Sequence, residues 1–308
     1  MDQQYLEISE IPKRAMDFWN DHRTYKLPLN APYLGMGSSY FAPLAFKYMG
    51  KQIQPEMASE FFNYFNPKDV IPNGVILSQS GLSTEALWCT KMFDKYTAIS
   101  NYKDSPLCNA DNVDSIVDLK AGIEQYSSSN SYINTLLALF KGLGYDAKTT
   151  IDVMVNNFSE YEHTGKEMAE KIFSLLKSGK INGIYIIGSG PNIATAFQAA
   201  LIMSESTKIN FNGLAMAQYD HGPKETAINS IVIQILAQGP SYQRGLNLSE
   251  KIKAAGAHVF CVEEPAVKEH FSILNNIIPF NFMAYYLAQY LNIKETFTVG
   301  GKVTQVQD

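Results

Sequence analysis

The run Gly183-Ile-Tyr-Ile-Ile-Gly-Ser-Gly-Pro-Asn192 passes from β-branched residues straight into glycine, and then into the apolar, helix-patterned stretch Ile193 to Met203. A buried strand that empties through glycine into a helix is the repeating unit of a parallel α/β sheet, because the crossover helix has to cover the sheet that the strand joins. The same turn leaves backbone N–H groups and a helix N-terminus facing any anion above the strand. An α/β fold with parallel sheets flanked by helices is therefore expected.

The pattern recurs. Tyr33-Leu-Gly-Met-Gly37 runs through Ser38, Ser39 and Tyr40 into a helix over Phe41 to Tyr48. Gly74 to Leu77 forms a short buried strand, and Tyr96 to Ser100 forms a third. In the second half, Ile184 to Ser189 answers Tyr33 to Ser38, Ile231 to Pro240 answers Val75 to Gly81, and Ala257 to Val262 answers Tyr96 to Ser100. The chain thus reads as two tandem copies of one module, residues 1–150 and 151–308, with the polar helical stretch Lys141 to Asn157 near the junction. A length of 308 residues suits two domains of about 100–200 residues each. At the start, Ile8, Ile11, Ala15 and Phe18 recur at helical spacing and predict one amphipathic helix, with Arg14 and His22 on its solvated face.

Two features point to chemistry. The Gly74 to Leu77 strand opens into Ser78-Gln79-Ser80-Gly81-Leu82-Ser83-Thr84-Glu85, where hydroxyl and amide groups crowd one glycine ahead of a helix. A simple N-cap needs only one or two hydroxyls, so this density favours phosphate binding. The loop carries no Lys or Arg and no Gly-Lys-Ser, which suits a sugar phosphate better than a nucleoside triphosphate. Its counterpart Ala237-Gln238-Gly239-Pro240 has lost the hydroxyls, so the phosphate is expected in the first copy. Ser127-Ser128-Ser129-Asn130 is a flexible loop or an N-cap.

The acid–base candidates, by contrast, lie in the second copy. Glu205 ends an apolar helix, either as a base turned into a pocket or as the wet end of a buried helix; His221 is clamped by Gly222 and Pro223. Lys302 follows Gly300 and Gly301 in the tail, where a lysine is either solvated or an amine for a sugar carbonyl. The apolar helix from Ile278 to Tyr290, with Tyr285, Tyr286 and Tyr290, suits core or dimer packing.

A formal charge of −5 with scattered Lys and Arg argues against nucleic acid as a partner. Cys89, Cys108 and Cys261 are odd in number and lack metal spacing, so they are expected as reduced core thiols, with no metal site. No signal pattern and no membrane-length apolar run occurs, and a cytoplasmic protein is expected.

Taken in order, Gly37-Ser-Ser-Tyr40, Ser78-Gln-Ser-Gly81, His221-Gly-Pro223 and Lys302-Val-Thr304 resemble the double sugar-isomerase (SIS) family, as in the isomerase half of glucosamine-6-phosphate synthase and in SIS-type glucosamine-6-phosphate deaminases. The resemblance covers nearly the whole chain. It implies that Ser39, Ser78, Gln79, Ser80, Ser83 and Ser129 contact the phosphate and sugar. It implies further that Glu205 shuttles a proton between C1 and C2, that His221 assists ring opening, and that Lys302 forms an imine with a ketose. A homodimer with shared active sites follows from it, since the family's His-Gly-Pro histidine reaches the neighbouring subunit. No metal or redox cofactor is implied. Leu82 stands where the family usually has Glu, and no Pro-Arg precedes Lys302. With no glutaminase region and no cysteine at the start, glutamine is not expected as nitrogen source. The expected activity is a glucosamine-6-phosphate deaminase or isomerase, a fructosamine-6-phosphate deglycase or other phosphosugar isomerase being the alternative, and a non-catalytic sugar-phosphate sensor the rival from another class.

Overall fold

The computed structural model describes residues 2–65 and 69–306. The chain divides into two units, with Glu10–Lys148 and the tail Phe297–Asp308 in the first and Met1–Ser9 and Thr149–Thr296 in the second. Each unit takes one end of the chain from the other half of the sequence.

In the first unit the strands β1 (Pro32–Gly35), β2 (Gln54–Met57), β3 (Ile71–Leu77), β4 (Phe93–Ser100) and β5 (Val113–Asp118) form one parallel sheet in the order β2-β1-β3-β4-β5. The helices α2 (Ile11–Trp19), α3 (Ser38–Tyr48), α4 (Ala58–Glu60), α5 (Thr84–Cys89) and α6 (Asn130–Gly142) flank it. The central strands lie in the core because their residues are apolar on both faces: Tyr33, Leu34, Val75, Ile76, Ala98 and Ile99 are all 1% exposed or less.

The second unit has β6 (Ile184–Gly188), β7 (Asn212–Ala215), β8 (Ile231–Leu236) and β9 (His258–Glu263), parallel throughout and ordered β7-β6-β8-β9. Its helices are α1 (Gln3–Ser9), α7 (Lys148–Asn156), α8 (Phe158–Lys177), α9 (Asn192–Thr207), α10 (Met216–Asp220), α11 (Tyr242–Ala254), α12 (Glu269–Asn276) and α13 (Ile278–Tyr290). In both sheets the chain starts on an inner strand, goes out to an edge, and returns to the other side of that strand.

Several expectations need correction. The first helix is two: Pro12, which has no N–H to continue the ladder, opens α2 after α1 ends at Ser9. The edge strands β2 and β7 carry no sequence signal, being short, only partly buried and interrupted by Pro55 and Gly213. The repeat is also shifted by two residues at β6. A Cβ on Gly35 would lie 2.6 Å from the Ser39 carbonyl oxygen and one on Gly188 would lie 2.3 Å from that of Asn192, while Gly37 and Gly190 take φ of +50° and +53°. Gly35 therefore corresponds to Gly188 and Gly37 to Gly190, because the first glycine lets the helix press on the strand and the second makes the left-handed turn. Cys89 and Cys108 are buried as expected, but Cys261 is exposed.

Candidate functional site

A parallel sheet ordered 2-1-3-4-5 leaves a crevice at the carboxyl ends of β1 and β3, where successive connections depart to opposite sides. The first unit puts Ser38 and Ser39 after β1, and Ser78 to Ser83 after β3. Gly81 turns the serine loop at φ +65°, and a Cβ there would strike the Ser105 Oγ at 2.0 Å, so only glycine fits. The hydroxyls hold the loop's shape. Gly81 N–H donates to Ser78 Oγ at 3.1 Å, Ser78 Oγ donates to Ser83 Oγ at 3.2 Å, and Leu82 N–H donates to Ser80 Oγ at 3.1 Å.

Beside this loop opens a cleft of ≈ 710 Å³, walled by Gln79, Ser80, Asn101, Asp118, Glu124 and Lys302 among others. The Lys302 ammonium donates to the Glu124 carbonyl at 2.7 Å, the Tyr126 carbonyl at 2.6 Å and Glu124 Oε2 at 3.2 Å. Those three acceptors match the three donors of a protonated amine. Glu124 has a fully buried side chain. Its carboxylate accepts from Ser129 N–H at 2.8 Å, Ser129 Oγ at 3.1 Å, Ser131 N–H at 3.2 Å and Ser131 Oγ at 2.5 Å. A buried charge is tolerable only when it is paired and hydrogen-bonded, and Glu124 is both.

Of the residues singled out from the sequence, Gln79, Ser80 and Lys302 wall the cleft. Ser78 and Ser83 stand in the same loop, where the Ser78 hydroxyl donates to Ser83 Oγ. Ser129 is 2% exposed and gives its hydroxyl to Glu124, and Ser39 lies in the first turn of α3. Glu124, Asn101 and Asp118 were missed. Asn101 and Asp118 could have been found from their places at the ends of β4 and β5, where α/β sheets place ligand contacts. Glu124 gives no such signal, because its importance comes from burial and from a lysine far along the chain.

The second unit holds Glu205 and His221 on opposite faces of its sheet. Gly213 of β7 pairs with Ile186, and a Cβ on it would meet the Ala196 carbonyl oxygen of α9 at 2.7 Å, so that face lies under α9. The next residues along, Ile187 and Leu214, pack with Met216 and Tyr219 of α10 and with Leu248 and Ile252 of α11. Side chains alternate between faces along a strand, so α9 and α10 cover opposite sides. Glu205 lies in the last turn of α9, about 20 Å along the helix from the Gly190 turn at 1.5 Å per residue. It is half-buried.

His221 is exposed at the end of α10, and no side chain among the described residues bonds its ring. Gly222 does not clamp it: its φ of 173° is ordinary extended backbone and its Cβ position is open. Position comes instead from Asp220, whose carboxylate takes Lys224 Nζ at 3.0 Å and an Arg244 N–H at 3.1 Å. The hydrogen bonds from Lys224 and then Arg244 hold the Asp220 carboxyl below the usual carboxylate range.

Among the described residues no group of three or more His, Cys, Asp or Glu is placed to hold a metal ion, and no helix is long and apolar enough to cross a membrane. No family model matches the chain. It is 26% identical over 292 residues to the isomerizing glutamine–fructose-6-phosphate aminotransferase of Pyrococcus horikoshii, covering 82% of this chain and 48% of that protein. The chain spans about half the length of the curated relatives it matches. Among solved structures it resembles a glucosamine-6-phosphate deaminase of Thermotoga maritima, with TM-score 0.76, 17% identity and 94% of each chain covered. It also resembles the C-terminal domain of the glucosamine-fructose-6-phosphate aminotransferase of Francisella tularensis, with TM-score 0.73, 17% identity and coverage of 95% and 97%. The fold is that of the sugar isomerases.

Proposed function

We propose that this chain, built on the sugar-isomerase fold as two tandem modules, is an enzyme that isomerises and deaminates a 6-phosphorylated amino sugar, glucosamine 6-phosphate above all. The observation that carries the reading is the first unit's cleft, lined by the serine loop and by two lysines, Lys103 and Lys302, the second tied to a buried carboxylate. Hydroxyl and backbone donors suit the phosphate of a sugar, and a held ammonium suits its carbonyl end.

In this account Ser80 and Gln79 anchor the phosphate, and His221 protonates the ring oxygen as the pyranose opens. Glu205 then takes the proton from C2 and returns it to C1, so that the C2 amine becomes an imine. Water or the Lys302 amine adds at C2, ammonia leaves, and fructose 6-phosphate is released after hydrolysis. The sum is glucosamine 6-phosphate plus water giving fructose 6-phosphate plus ammonia. Lys302 becomes nucleophilic by passing a proton to Glu124 Oε2, 3.2 Å away.

The opposite faces of Glu205 and His221 support a shared-site homodimer, in which His221 serves a neighbouring copy. Incubation with glucosamine 6-phosphate, fructose 6-phosphate and a fructosamine 6-phosphate, following ammonia and ketose release, tests the reading. Ammonia from the first substrate is expected. Release of a free amino acid from the third alone would replace it with a deglycase, and tight binding of all three with no turnover would replace it with a sensor.

A further inference from the structure

One wall of the first unit's cleft comes from the segment after β4, Asn101 to Pro106. Asn101 Nδ2 donates to the Gly122 carbonyl at 2.7 Å, and its Oδ1 accepts the Ala121 N–H at 2.7 Å. Ser100, which ends β4, takes the Tyr102 N–H on its Oγ at 3.2 Å. Ser105 differs. It lines the cleft at 6% exposure, and among the described residues its Oγ has no hydrogen-bond partner.

Its place in the chain gives that hydroxyl another use, which it does not take. Ser105 is the N-cap of the short 3₁₀ helix Pro106–Cys108, where serine is favoured because its hydroxyl accepts an N–H of the first turn. No such bond forms, and the Cys108 N–H goes to the Ser105 carbonyl at 2.9 Å. The hydroxyl stands against the serine loop instead: a Cβ on Gly81 would lie 2.0 Å from Ser105 Oγ and 3.2 Å from Ser100 Oγ. Glycine at 81 thus leaves room for Ser105 Oγ at the turn that follows Ser80. A buried hydroxyl without a partner is destabilising, and a ligand acceptor in the cleft removes that cost.

We propose that Ser105 is a further ligand-contacting residue of the first unit's cleft, and that its hydroxyl donates to a phosphate oxygen of the sugar phosphate anchored by Ser80 and Gln79. The inference rests on the phosphosugar reading given above and adds a donor from outside the serine loop. A phosphate oxygen accepts strongly from a neutral hydroxyl, so it suits a group with a donor to spare.

Ser105→Ala tests it, by calorimetric titration with glucosamine 6-phosphate, fructose 6-phosphate and inorganic phosphate, beside a thermal midpoint measured without ligand. Because the hydroxyl caps nothing, the midpoint is expected to stay level or rise. Affinity for all three ligands is expected to fall roughly ten-fold or more, and the loss in turnover should appear in KM rather than in kcat. Unchanged affinities in Ser105→Ala, with Ser80→Ala weakened, overturn the proposal and leave the phosphosugar reading standing. A loss for the two sugars with none for inorganic phosphate also overturns it, since the hydroxyl would then serve the sugar. A lowered midpoint with unchanged affinities does the same, by making Ser105 a structural residue. A wild type that binds neither phosphosugar overturns the reading of the cleft and this assignment together.

Discussion

Ser80 and Lys302 both wall the first unit's cleft, and the proposed function gives the first the phosphate and the second the sugar's carbonyl end. Ser80→Ala removes one donor to a phosphate while the strand and helix on either side remain. Charge-assisted hydrogen bonds contribute about 1.5–3 kcal/mol, so phosphosugar affinity should fall roughly ten-fold or more with little change in the thermal midpoint. Unchanged affinity would remove the serine loop from the site. Lys302→Met should act differently, because it strips the cation from a carboxylate with no exposed surface. Breaking a buried pair costs about 3–5 kcal/mol when the remaining charge is uncompensated, and the donors of Ser129 and Ser131 should keep the loss at or below the lower end. Urea unfolding reads that loss, and turnover should disappear with it; a fully stable, fully active variant would leave Lys302 with no role. At this scale the sequence exposed residues whose types cluster locally, such as Ser78 to Ser83. Glu124 stayed hidden, since an isolated Glu before a serine run looks the same whether it is solvated or buried.

The elements that matter most are α9 and α10, which carry the two acid–base candidates on opposite faces of one sheet. Asp220 fixes α10 through Lys224 and Arg244, and its carboxyl is held below the usual range by those two partners. A group whose folded pKa is lowered gives stability that is complete above its unfolded value, near 3.9 for Asp, and lost as pH falls through the folded value. Asp220→Asn should therefore lower the urea midpoint at pH 7, and the gap from wild type should narrow below about pH 4. A gap constant from pH 3 to pH 7 would show that the ion pairs contribute nothing. The variant should also lose turnover, since the end of α10 that carries His221 is freed. The strands β1, β3, β4, β6 and β8 were legible because buried parallel strands are continuous apolar runs, and the partly buried edge β9 was legible because Ala257 to Val262 is largely apolar all the same. The edges β2, β5 and β7 were not, because a strand paired on one side needs no such run; Pro55 and Gly213 even argue against one. The two-helix start escaped because Ile8 and Ile11 keep helical spacing across the break at Pro12.

At the scale of the molecule, two parallel sheets were foreshadowed by two Gly-x-Gly turns, whereas the exchange of chain ends between units was not, since no local pattern encodes it. If His221 completes the site of a neighbouring copy, Glu205→Gln and His221→Ala chains, each inactive alone, should regain about a quarter of wild-type activity when mixed and allowed to exchange, because half the dimers are mixed and each holds one intact site. No recovery after demonstrated exchange would place His221 in its own subunit's site. The central claim is that a carboxylate at the end of α9 moves the proton of a phosphorylated amino sugar. The measurement that meets it most directly is the kcat for ammonia and fructose 6-phosphate release from glucosamine 6-phosphate by wild type and by Glu205→Gln, with the Kd of the phosphosugar measured alongside. The account predicts turnover by wild type, a loss of about 10²–10⁴-fold in the variant, and a Kd that hardly moves. Full activity in the variant, or binding without turnover in the wild type, would contradict it.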